Sequence, residues 1–119
     1  MLFGAFQRGD FFAPAAERWT ELARVSREVI VFADDWSEIA DTPGGPMRAV
    51  LDEAAPLRRE WAVICDAGEA SACLSAWELP GQAGVRDRER IYESVWTVDP
   101  AVVRDAARVA ASVAVGCVA

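Results

Sequence analysis

Two adjacent carboxylate pairs, Asp34-Asp35 and Asp52-Glu53, have side chains suited to acid–base work or to holding a cation. Each pair borders an apolar run at a turn, where solvated carboxylates are ordinary, so surface charge is the favoured reading of both. Asp66, Glu69 and Glu78 flank a later connection and read the same way. The three cysteines, Cys65, Cys73 and Cys117, form no CxxC pair, and the chain has no histidine to complete a zinc set. That lack also removes the commonest general base. Cys65 has no identifiable base to activate it as a nucleophile. No GxSxG, P-loop or GxGxxG is present. The thiols therefore read as reduced apolar fillers, and no catalytic residue, metal or cofactor is expected. A Cys65–Cys73 redox pair would need neighbouring strands in a register that sequence does not reveal.

The aromatic residues offer more. Five tryptophans is a high count for 119 residues. Trp19, Trp61 and Trp96 fall on an expected helix and expected strands, which favours a core role. Trp77 shares a strand face with Ser75, and Trp36 lies in a loop between carboxylates. An exposed tryptophan in such places marks a ligand or partner surface. These two head a candidate binding set that also includes Trp96, Tyr92, Arg48 and Glu60. A catalytic alternative would need Asp34, Arg48 or Glu60 to converge in one cleft.

The elements that must position these residues follow from pattern. The apolar density of Leu2, Phe3, Phe6, Phe11 and Phe12 argues that the N-terminal segment packs. Pro14 suits a first helical turn. A helical stripe of Ala15, Trp19, Leu22, Ala23 and Ser26 predicts a helix over 15–27. Val29 to Ala33 is short, β-branched and apolar throughout, as in a well-buried strand. The segment 34–46 has loop chemistry, ending in Pro43-Gly44-Gly45-Pro46. Further strands are expected at 47–51, 61–65, 72–77 and 91–98, the last two showing a two-residue alternation. Asp99-Pro100 is a strong helix start, Val102, Val103, Ala106, Val109, Ala110 and Val113 make an apolar stripe, and Gly116 is the expected stop. The fold class is thus α+β: about five strands in a mostly antiparallel sheet, with N- and C-terminal helices packed on one face.

Composition bounds the function. The length fits a single domain, residues 1–119, and 53% apolar residues are enough for one core. No apolar run is long enough to span a bilayer, and the N-terminus lacks the pattern of a secretory signal, so a cytoplasmic location is expected and no membrane partner. The net charge is −7, and all 12 basic residues are arginine. Such a surface repels phosphate backbones, so direct nucleic-acid binding is not expected.

Three segments read in register carry a family resemblance. One is Phe6-Gln7 with Phe11-Phe12-Ala13-Pro14 and Glu17-Arg18-Trp19-Thr20-Glu21-Leu22-Ala23. The second is Pro56-Leu57-Arg58-Arg59-Glu60-Trp61-Ala62-Val63-Ile64, continuing through Ala72-Cys73-Leu74-Ser75-Ala76-Trp77-Glu78-Leu79. The third runs from Arg90 to Asp99 and on to Val102-Val103 and Ala106-Ala107-Arg108. Together they resemble the DICT domain, a sensory module of diguanylate cyclases and two-component systems that also follows MerR-like DNA-binding domains. The resemblance implies a non-catalytic signal-input or regulatory domain of bacterial signal transduction or transcription control. Its partners would be a small ligand or a separate output protein, and self-association into a homodimer is a further option. A pure protein-interaction or dimerisation module without a ligand is the alternative. Relatives often carry histidine where this chain has Val98, and a Gly-Pro-His-like turn where it has Asp66-Ala67-Gly68-Glu69.

Overall fold

The structure, a computed structural model, describes residues 1–117. Six strands form one sheet in the order β3-β2-β1-β4-β5-β6. They are β1 (Leu2–Ala5), β2 (Val29–Ala33), β3 (Met47–Val50), β4 (Glu60–Cys65), β5 (Ala72–Glu78) and β6 (Tyr92–Thr97). The helices are α1 (Gly9–Phe12), α2 (Ala16–Val25) and α3 (Pro100–Cys117). The α+β class and the mainly antiparallel sheet are as the sequence predicts, with one strand more than expected.

The added strand is β1, at the centre of the sheet. It runs parallel to β2 and antiparallel to β4, pairing Phe3 with Ile30 on one side and with Ile64 on the other. The pairs β2–β3 are parallel, while β4–β5 and β5–β6 are antiparallel. A parallel β1–β2 pair needs a crossover, and α1 and α2 supply it.

Side chains alternate between two layers of core. Leu2, Val29 and Val31 point to the side where α2 packs, together with Phe6, Phe12 and Trp19. Phe3, Ala5, Ile30, Phe32, Ala62 and Ile64 point to the other side, beneath Val103, Ala107, Ala110 and Ala114 of α3. The N- and C-terminal helices therefore cover opposite faces, which corrects the expectation of a single roofed face. It also explains why β2 is apolar at every position: both of its faces are buried.

Two close approaches fix the α2 side. The sixth ring carbon of Trp19 comes so near β1 that a Cβ on Gly4 would lie 2.5 Å from it. A Cβ on Gly9 would collide with the backbone oxygen of Asp35. Gln7 links them at φ +64°, a left-handed conformation uncommon outside glycine.

The start of α3 follows the sequence reading: the Ala101 N–H donates to Asp99 Oδ1 at 3.0 Å. Its end does not. Gly116 lies inside the helix and not in a left-handed turn, so it does not stop α3. The predicted apolar stripe is also split. Val103 and Ala110 are buried, whereas Val102 and Val109 are half exposed or more.

Candidate ligand cavity

The face beneath α3 is underfilled. Past Val103, the sheet-facing residues of α3 include Ala106, Ala107, Ala110 and Ala114; across from them stand Ala5, Ala62, Cys73 and Ser75. Small side chains on both surfaces cannot interdigitate to native density. The result is a cavity of about 400 Å³ between α3 and the sheet, partly open to solvent. Phe3, Phe32 and Ile64 form its floor, Val109 and Val113 line the roof, and Pro56 and Leu57 form one wall. The rings of Phe3 and Phe32 are stacked, with centroids 6.4 Å apart and planes inclined by 23°. A volume of this order is typical of small-molecule sites.

Glu60, at the first position of β4, is the one charged side chain among these lining residues. Burial pushes its carboxyl above the usual glutamate range. Its strand partner Trp77 lies on the same face of the sheet. Glu60 also lines an open groove of mixed polar and apolar surface shared with Gln7, Arg8, Asp34 and Trp77. There the Gln7 side-chain amide donates to the Arg59 carbonyl at 3.0 Å, and Arg58 stands 3.9 Å from Asp34.

The six predicted site residues fall into three places. Glu60 and Trp77 are together at the groove, where the Trp77 indole N–H donates to Glu93 at 3.1 Å. Tyr92 and Trp96 lie on the opposite face of the sheet. Tyr92 accepts a hydrogen bond from Trp61 at 3.4 Å and donates to Glu78 at 3.3 Å. Arg90 reaches the same Glu78 oxygen at 2.9 Å, and that hydrogen bond holds its guanidinium pKa above the usual arginine range. Tyr92 thus belongs to a network that anchors the 79–91 connection. Trp96 is 74% exposed, contrary to the core role expected for it.

Trp36 and Arg48 form the third place, at the far edge of the sheet. Trp36 is buried, not an exposed loop aromatic; its indole N–H donates to the Ala49 carbonyl at 3.0 Å, and Phe12 packs edge-on against it. The Arg48 guanidinium sits 5.1 Å over the Trp36 ring and donates to the carbonyls of Ile39 and Ala40 at 2.8 and 2.6 Å. Both residues pin the 34–46 loop to the sheet. That loop carries a tryptophan because its backbone must be held down, a signal that composition does not distinguish from a binding aromatic.

The remaining chemistry-bearing residues stay apart. Asp34 and Glu60 share the open groove, but Arg48 does not join them. Asp35 accepts hydrogen bonds from the backbone N–H and hydroxyl of Ser37, both at 2.9 Å, which hold its pKa below the usual range. Cys65 pairs with Ala72 and Cys73 with Ile64, so the two thiols point to opposite faces and cannot bridge. All three cysteines are free, and burial raises the pKa of Cys73 and Cys117. Among the described residues there is no metal-binding cluster and no helix long and apolar enough to cross a membrane. The cavity itself escaped sequence reading. Its lining is a set of small and apolar residues from five separate segments, and only the alanine-rich run of α3 hinted at an underfilled interface.

Sheet, opposed helices and cavity together define a small α+β fold with an apolar cavity under its terminal helix. The family model described as the sensory domain in diguanylate cyclases and two-component systems, DICT, matches residues 1–79, and the chain belongs to that family. No curated protein and no solved structure matches it. DICT is a sensory domain of signalling proteins.

Proposed function

We propose that this domain receives a signal by taking a small, mainly apolar molecule into the cavity between α3 and the sheet. The observation that carries this reading is the cavity of about 400 Å³ itself, with its aromatic floor and nearly continuous apolar lining. Membership in a sensory family supports the same conclusion. Occupancy would fill a gap on one side of α3, so ligand would bias the position of that helix. A separate or attached output protein would read the change, as the resemblance implies. Native mass spectrometry of the purified chain tests the reading. A copurifying small molecule, lost when Ala106→Trp fills the cavity, is the expected result. A chain that binds no apolar compound, natural or added, overturns it.

A second reading rests on a different observation. Val63, Leu74 and Trp96 are aligned partners across β4, β5 and β6, and are 41%, 45% and 74% exposed. They lie beyond the area that α2 covers. This bare apolar row suits protein docking or dimerisation without a ligand. Light scattering at rising concentration separates the two: a dimer abolished by Trp96→Ser, in a chain that binds no apolar compound, favours the second.

A further inference from the structure

We infer that the ligand of this cavity is a lipophilic cation: an aromatic or otherwise flat apolar body bearing one amine. This inference rests on the cavity being the ligand site. The shape of the floor comes first. Phe3 and Phe32 present a near-parallel pair of rings, and the roof above them is aliphatic, from Val109 and Val113. A ligand with an aromatic or otherwise flat apolar body suits a floor of two aromatic rings under an aliphatic roof.

The charge comes second. Among the described residues, Glu60 is the only charged one that lines the cavity, and its carboxylate makes no hydrogen bond or ion pair with any of them. Three of the four arginines of the adjoining groove are held by other carboxylates. Arg58 faces Asp34, Arg90 faces Glu78, and Arg8 is paired with Asp10 at 2.6 Å. Arg59 lines the groove but not the cavity. A partly desolvated carboxylate without a partner attracts a cation and repels an anion. The overall charge of −7 acts in the same direction at longer range. A fatty acid or other apolar carboxylate would satisfy the walls but would place its charge against Glu60.

Three probes with one ring system isolate the charge: 2-naphthylmethylamine, 2-naphthalenemethanol and 2-naphthoate, each titrated by calorimetry into the full chain at pH 7. The amine should bind about tenfold tighter than the alcohol, the margin expected of one hydrogen bond to a charged group, and 2-naphthoate should bind weakest. In Glu60→Gln the amine and the alcohol should bind equally. An alcohol that binds as tightly as the amine to the unaltered chain overturns the inference while leaving the cavity reading intact. So does an amine preference that survives Glu60→Gln. If none of the three binds, the inference falls together with the cavity reading.

Discussion

Trp19 lies directly over Gly4, with a ring carbon 2.5 Å from where a Cβ on that glycine would sit. The contact clamps α2 to the central strand, and it leaves no room for even one methyl group. Gly4→Ala should therefore overpack the α2 side and cost ~1–3 kcal/mol. Urea denaturation would show this as a lower midpoint; an unchanged midpoint would mean that the helix gives way freely.

The Trp36–Ala49 hydrogen bond makes a second prediction. Trp36→Phe keeps a ring against Phe12 but leaves the Ala49 carbonyl without its donor. A loss of ~1–2 kcal/mol is expected. Because Trp36 packs in the α2-side core, on the opposite face of the sheet from the cavity, the affinity for an apolar probe should stay as it was. A change in that affinity would make Trp36 a binding residue after all.

Filling the cavity should separate stability from binding. Ala106→Leu puts three more carbons into the gap lined by Ser75 and Cys73. The free protein should gain ~0.5–2 kcal/mol, as cavity-filling changes commonly do. Binding of the naphthyl probes should be lost at the same time. A destabilised variant would show that the gap is already closed in solution.

Glu60 should give the protein a pH signature. Burial raises its pKa in the folded state above the unfolded value of 4.5. The folded form thus holds its proton more tightly. Its contribution is complete below that unfolded pKa and is lost as pH rises through the higher folded one. Glu60→Gln carries no such charge, so its stability relative to the unaltered protein should be greater at pH 7 than at pH 4. Denaturation curves at the two values decide the matter; equal differences would mean that the carboxylate is fully hydrated.

Trp96 offers the opposite contrast. At 74% exposure it contributes little to the core, so Trp96→Ser should change stability by no more than ~0.5 kcal/mol. If the apolar row on β4–β6 meets another protein, the same change should weaken that contact strongly. A large loss of stability would show that the indole is covered in solution.

Much of the fold was legible in the chain because local pattern and burial agree. Val29–Ala33 is buried at all five positions and was readable as a strand from its β-branched run. Asp99-Pro100 marked the start of α3 because capping is a local interaction. β1 was missed for a physical reason: with Phe3 and Ala5 in one core, Leu2 and Phe6 in the other, it lacks the alternation that betrays a half-exposed strand. Missing it hid the parallel β1–β2 crossover, and with it the placement of the helices on two faces. The site was less legible still. Glu60 and Trp77 are strand partners beside the groove, whereas Trp36 and Arg48 hold down the 34–46 loop. Exposure depends on tertiary packing, and a tryptophan holding down a loop has the same neighbours in sequence as one reaching for a partner.

The family match ends at residue 79, one position beyond β5, whereas α3 begins at Pro100. A fragment trimmed to that match would keep Phe3, Phe32 and Ile64 but lose Val103, Ala107, Ala110 and Ala114, which shield them. Its bared sheet would drive precipitation rather than soluble recovery. Production of this fold therefore has to include the terminal helix.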